Sequence, residues 1–145
     1  MARPISASRT HAPLHPFFVG LGGAFLMAAL FTDYMYTSNS LSQWANFSVW
    51  LITGGLVLAL IGTIFLVVDV ALGRAGAIRW LDFGLVVTAA ILSLVNVFVH
   101  TRDAWTSVVP TGITLSTIVT ILLLAVGLRG WCVTAVKTVS LGERE

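Results

Sequence analysis

The chain has 145 residues, of which 57% are hydrophobic and only 10% charged, against the roughly 25% charged of soluble domains. A water-soluble globule of this length cannot hide so much apolar surface, so the composition calls for lipid as solvent. The net charge of +2 comes from dispersed Lys and Arg without interleaved aromatics, which argues against a nucleic-acid partner. The single cysteine, Cys132, leaves no internal disulfide and no paired-cysteine metal or redox motif.

Four stretches reach the length of on the order of 20 apolar residues that a bilayer-spanning helix needs. The first covers 16–36 and is charge-free until Asp33. Arg3 and Arg9 precede it as they would a signal peptide, but the run is long and lacks a small-x-small cleavage site, so it is expected to stay. Thr37-Ser38-Asn39-Ser40 forms a polar turn to the second stretch, 44–70, which is charge-free until Asp69. Gly73-Arg74-Ala75-Gly76 is the next turn, and the third stretch, 80–100, carries Asp82 near its start. Arg102-Asp103 and then Pro110-Thr111-Gly112 lead to the fourth, 110–128, where Pro suits the first helical turn.

Short connections make successive helices antiparallel, so the expected fold is an all-α, up-down-up-down bundle of four transmembrane helices. The expected organisation is a tail over 1–15, a four-helix domain over 16–138 and a second tail over 139–145. Basic residues set the orientation. With the N-terminus inside, Arg3, Arg9, Arg74, Arg79, Arg129, Lys137 and Arg144 are cytoplasmic and only Arg102 is outside. Both termini are therefore expected in the cytoplasm, with the chain a multi-pass membrane protein.

Helices approach closely in lipid through small residues. Gly20, Ala24 and Ala28 offer such a stripe on the first helix, and Gly55, Ala59 and Gly62 one on the second. Both suit packing within the chain, with a homo-oligomer face as the alternative. On the third helix, Asp82, Leu85, Ala89, Ser93, Asn96 and His100 share one face, which makes a polar stripe along its height. Its functional reading is a proton or cofactor path, and its plainer reading is interhelical hydrogen bonding. Thr117 and Thr120 are expected to bond their own backbone.

Three histidines are the candidates for haem or soft-metal ligation. His15 and His100 differ in depth by about 28 Å at 1.5 Å per residue, so they cannot share one cofactor. His11 and His15, joined through Ala-Pro-Leu, are a poor bridging pair. Two polar groups follow from the topology. An inner one gathers His15, Asp69 and Asp82, with His11. An outer one gathers Asp33, Asn96, His100, Arg102 and Asp103, and its plainer reading is a hydrogen-bonded cap that fixes loop geometry.

The order of His11-Ala12-Pro13-Leu14-His15-Pro16-Phe17, Phe31-Thr32-Asp33-Tyr34, Trp44-Ala45-Asn46-Phe47-Ser48-Val49-Trp50-Leu51 and Leu66-Val67-Val68-Asp69 resembles a known pattern. So do Val95-Asn96-Val97-Phe98-Val99-His100-Thr101-Arg102-Asp103 and Val108-Val109-Pro110-Thr111-Gly112. Together, over about Thr10 to Trp131, they are similar to the bacterial "domain of unknown function 2231" family of membrane proteins. The resemblance implies a four-helix inner-membrane protein of undetermined biochemistry, with some relatives joined to redox domains. Two departures stand out. The family opens on His-Pro-x-His-Pro, where this chain keeps only the second His in register. Near the start of the third helix the family tends to carry a histidine, where this chain has Asp82. Asp82 is accordingly expected to pair with His15 or to join a weak His/Asp site.

Three functions compete. The first is a non-catalytic accessory or structural subunit of a larger membrane complex, respiratory or otherwise redox-linked. The second is an electron-transfer protein that holds haem b or interacts with quinone, although no cofactor is required by the residues. The third is a small proton-coupled transporter, against which stands the lack of an inverted repeat. No nucleophile–base pair at matching depth suggests an enzyme.

Overall fold

A computed structural model describes residues 9–10, 12–102, 104–136 and 138–139. It contains four long helices: α1 (His15–Asn39), α2 (Ser42–Ala71), α3 (Trp80–Val99) and α4 (Thr111–Leu128). All four are long and apolar enough to cross a membrane. At about 1.5 Å per residue, even α4 spans roughly 27 Å, close to the thickness of a hydrocarbon core.

The side chains are distributed as in a protein dissolved in lipid. Phe17, Trp50, Leu60, Val67, Trp80 and Phe98 are exposed, whereas His15, Asp33, Ser48, Asp69, Asp82 and Asn96 are buried. A compact apolar centre of Leu26, Ala29, Ile52, Ala89, Val119 and Leu123 joins all four helices. Neighbouring helices are antiparallel. The end of α1 meets the start of α2 and the end of α3 meets the start of α4, through hydrogen bonds described below.

The turns match their residues. Only Ser40 and Leu41 separate α1 from α2, with Ser40 in the left-handed region at φ 56° and its N–H donating to the Tyr36 carbonyl at 2.8 Å. Gly73, at φ 65°, ends the turn after α2. The segment expected to be a turn continues as a strand, β2 (Ala75–Ile78), which pairs antiparallel with β3 (Thr134–Val136). A second short pair joins β1 (Arg9–Thr10) to β4 (Thr138–Val139). Sequence periodicity missed these strands because the pairing partners lie far apart in the chain and each run is very short. Both sheets lie at the end of the bundle that carries Arg74, Arg79 and Arg129, called the strand end below.

The small-residue stripes behave differently. Gly55 and Gly62 are buried against α1. A Cβ on Gly22 would come within 3.0 Å of the Gly55 carbonyl, and one on Gly62 within 3.3 Å of Phe18. Ala59 lies between them and is half-buried, its backbone N close to Gly22. On α1 the expected stripe is not the packing face: Ala24 and Ala28 are exposed, and Gly22, Gly23, Leu26 and Ala29 are buried instead. Gly20 sits half-buried against the indole of Trp131. The buried face is turned by roughly half a revolution from the stripe, because α1 packs on α4 and Trp131 as well as on α2.

Candidate functional site: two buried histidine–aspartate pairs

The end of the bundle opposite the strands is knotted around Asp33, near the end of α1. Its Oδ2 accepts from the Ser116 hydroxyl of α4 at 2.6 Å. Its Oδ1 accepts from the Ser48 hydroxyl of α2 and lies 2.9 Å from His100 Nε2, just past α3. One carboxylate thus touches a group from every other helix. Asn96 donates from Nδ2 to Ser116 Oγ at 2.8 Å, and Thr32 Oγ1 lies 2.6 Å from Ser48 Oγ. His100 Nδ1 is 3.0 Å from the Asn96 carbonyl, which can only accept, so Nδ1 carries a proton. One further proton then lies between Nε2 and Asp33 Oδ1. Asp33, Ser48, Ser116 and Asn96 are all at most 2% exposed.

The outer group expected from the sequence is therefore assembled in part. Asp33, Asn96 and His100 meet. Arg102 is exposed and borders an open recess with His100, Asn46 and Ser42. Asp103 lies outside the described residues. Ser48, Ser116 and Thr32 complete the knot and were not singled out from the sequence. One signal could have found Ser48: it and Asp33 are equidistant from the Ser40–Leu41 turn, and an antiparallel hairpin brings such positions to one level.

At the strand end the expected inner group divides in two. Asp69, near the end of α2, accepts through Oδ2 from the backbone N–H of Leu14 at 2.8 Å and of His15 at 3.1 Å. The same oxygen accepts from His15 Nδ1 at 3.0 Å. No side chain of α1 itself caps its first turn, so Asp69 does so from the neighbouring helix, where the amides and the helix dipole favour an anion. Its Oδ1 and His15 Nε2 have no hydrogen-bond partner among the described residues and are buried. Each such atom costs about 1–3 kcal/mol in the absence of a partner.

Asp82 does not pair with His15. It is 1% exposed and lies between two arginines, with Arg79 Nε at 2.7 Å from Oδ2 and Arg129 Nε at 2.5 Å from Oδ1. The physical reason is reach. Arg79 is one turn before Asp82, and the α3–α4 hairpin carries Arg129 to the same level, whereas His15 is already held by Asp69. The Asp82 hydrogen bond and charge raise the Arg129 guanidinium above its ordinary pKa. Arg79 also donates to the carbonyls of Arg129 and Cys132 at 3.2 and 3.3 Å, pinning the turn after α4. His11 lies outside the described residues.

This chain matches, over residues 11–142, the family described as "predicted membrane protein (DUF2231)". The chain belongs to that family. No curated protein and no solved structure matches it. As a DUF2231 protein it is a membrane protein whose four apolar helices agree with the family description.

A haem held jointly by His15 and His100 does not fit this arrangement. His15 and His100 occupy opposite ends of the bundle, each bonded to its own aspartate. Among the described residues no three of His, Cys, Asp and Glu gather as a metal site would require. The polar stripe of α3 is buried at Asp82, Ala89, Ser93 and Asn96, with Leu85 half-buried. Between its ends, Ser93 donates back to the Ala89 carbonyl at 2.8 Å. Thr117 likewise bonds its own helix, at Ile113 O, while Thr120 Oγ1 is buried without a partner among the described residues.

Proposed function

We propose that this DUF2231 protein is a non-catalytic component of the bacterial inner membrane, a bundle that docks against and stabilises a larger membrane complex, with both termini cytoplasmic. One observation carries the reading. Each buried carboxylate joins structural elements: Asp33 ties four helices, Asp69 caps α1, and Asp82 holds Arg79 and Arg129. The outward face, by contrast, is broad and apolar and includes the small side chains Ala24 and Ala28, which let another helix approach closely. The orientation is supported by Arg74, Arg79 and Arg129 at the strand end, against Arg102 at the other.

The test is extraction of the full chain in a mild detergent after chemical crosslinking in the native membrane. A discrete larger species containing a second membrane protein is the expected result. Recovery of the chain only as a monomer, with no crosslinked product, overturns it.

A further inference from the structure

We propose that Asp33 and His100 form a proton-binding site, which fastens the end of the bundle opposite the strands only while it is loaded. The inference rests on this chain's own contacts and is independent of any partner protein.

His100 Nδ1 lies 3.0 Å from the Asn96 carbonyl, and Nε2 lies 2.9 Å from Asp33 Oδ1. A neutral imidazole has one N–H to offer. Placed on Nδ1, that proton leaves two lone pairs facing each other between Nε2 and Oδ1. Placed on Nε2, it leaves Nδ1 facing a carbonyl, which never donates. Both contacts are satisfied together only when the pair holds one proton more than a neutral imidazole and an ionised carboxylate. No neighbouring hydroxyl supplies it. Asn96 Nδ2 donates to Ser116 Oγ, so the single Ser116 proton goes to Asp33 Oδ2, and Ser48 donates to Oδ1. The ring is wholly buried and packs so closely on Gly112 of α4 that a Cβ there would stand 2.9 Å from Cε1. It has little freedom to turn to other partners. His15 differs, because its Nδ1 meets Asp69 Oδ2 while its Nε2 has no partner among the described residues. One proton on Nδ1 satisfies that contact.

Loss of the extra proton to water leaves a carboxylate and a neutral imidazole, with one net negative charge in a buried site. An uncompensated buried carboxylate is costly, and the facing lone pairs repel. Release of His100 from Asp33 relieves both and frees the corner between α3 and α4 from α1. Water has a place to enter. An open recess of about 160 Å³, room for several molecules, borders His100 beside Asn46 and Arg102. The fastened form binds one proton more than the released form, so fastening weakens as pH rises. The dependence starts above the ordinary imidazole value of about 6.5, since below it the released imidazole is protonated as well. Few other ionisable groups surround the pair. Tyr36 of α1 and Arg102 border the recess, α2, α3 and α4 carry no other at this end, and Asp103 lies outside the described residues.

The experiment uses the full chain in lipid nanodiscs with ¹⁵N-labelled histidine, titrated from pH 6 to 10. At pH 8 both ring nitrogens of His100 should still carry protons. As the second proton leaves, protection of the His100 and Ile113 amides, hydrogen-bonded on either side of the corner, should fall at least tenfold. Asp33→Asn, whose amide can donate to Nε2, should leave His100 with one ring proton at pH 8 and abolish that fall. Ser116→Ala removes one donor from the carboxylate and should move the titration to higher pH, so the test survives if Asp33→Asn fails to fold. Tyr36→Phe and Asp103→Asn should leave the titration where it is. A His100 ring with a single proton at pH 7 overturns the proposal. So does protection that stays constant through the titration, or a midpoint that follows Tyr36→Phe or Asp103→Asn instead of Asp33→Asn and Ser116→Ala.

Discussion

His100 and Asp33 stand 67 positions apart in the chain, yet Nε2 and Oδ1 meet at 2.9 Å with neither side chain exposed. The bond completes a network of hydrogen bonds in which residues of α1, α2, α3 and α4 all take part. In lipid the apolar effect does not hold helices together, so such bonds and close packing carry the association.

Asp33→Ala removes the acceptor for Ser48, Ser116 and His100 together. At about 0.6–1.7 kcal/mol for each interhelical bond, the loss should be roughly 2–5 kcal/mol. Ser48→Ala and Ser116→Ala should each cost only about 0.6–1.7 kcal/mol. Reversible unfolding in mixed micelles measures all three. An Asp33→Ala protein as stable as either serine variant would mean that the knot does not act as one unit.

Trp131 supplies the second prediction. It is a non-glycine residue in the left-handed region, at φ 60°, and its indole lies on glycines of two helices. A Cβ on Gly23 would stand 2.6 Å from Cζ3, and one on Gly127 2.7 Å from Cζ2. Gly23→Ala and Gly127→Ala should each destabilise by about 1–3 kcal/mol, as overpacking does. Because both displace the same ring, the double variant should cost less than the two together. Unfolding followed by tryptophan fluorescence distinguishes these outcomes.

The spans were legible because a bilayer imposes one length and one composition on every helix. The polar face of α3 was legible too, since Asp82, Asn96 and His100 recur at helical spacing. Which carboxylate meets which cation was not. Helical spacing orders residues on one helix, whereas the partner of Asp82 depends on how far the α3–α4 hairpin carries Arg129 down. The packing face of α1 escaped for a related reason. Gly20, Ala24 and Ala28 make a regular stripe, but the indole of Trp131, more than a hundred residues later, helps choose the face through Gly23. The strands escaped because Ala75–Ile78 finds its partner only in 134–136.

Asp69 caps a helix to which it does not belong. Asp69→Ala should leave the amides of Leu14 and His15 without an acceptor and fray the first turn of α1. Asp69→Asn keeps one acceptor oxygen and should fray it less. Amide hydrogen exchange at Leu14 and His15 reads this directly, with exchange fastest in the alanine variant. Equal protection in all three proteins would remove the capping role.

Asp82 has two cationic neighbours, so loss of one should be tolerated. Arg129 is largely exposed, and Arg129→Ala should have a small effect that shrinks further at high salt. Arg79→Ala with Arg129→Ala leaves a buried carboxylate uncompensated and should be far more damaging than either alone. The sign of the pH dependence follows from the raised pKa of Arg129. Its contribution is complete below the unfolded pKa and is lost only as pH rises through the higher folded value. Arg129 should therefore add no slope to stability between about pH 5 and 9, since a guanidinium stays charged throughout that range. A slope in that window that disappears in Arg129→Ala would contradict the assignment.

The proposed orientation can be read with one thiol at a time. Cys132 is the only cysteine and lies at the strand end, partly buried, with its thiol 3.0 Å from the Thr134 carbonyl. In a Cys132→Ser background, Thr101→Cys places a single thiol on an exposed position at the opposite end. If both termini are cytoplasmic, a membrane-impermeant maleimide added to intact spheroplasts should label residue 101 and spare a thiol introduced at exposed Leu72, beside the strand end. After permeabilisation both should react. The reverse pattern would place the arginines of the strand end outside, against the bias that Arg74, Arg79 and Arg129 impose on insertion.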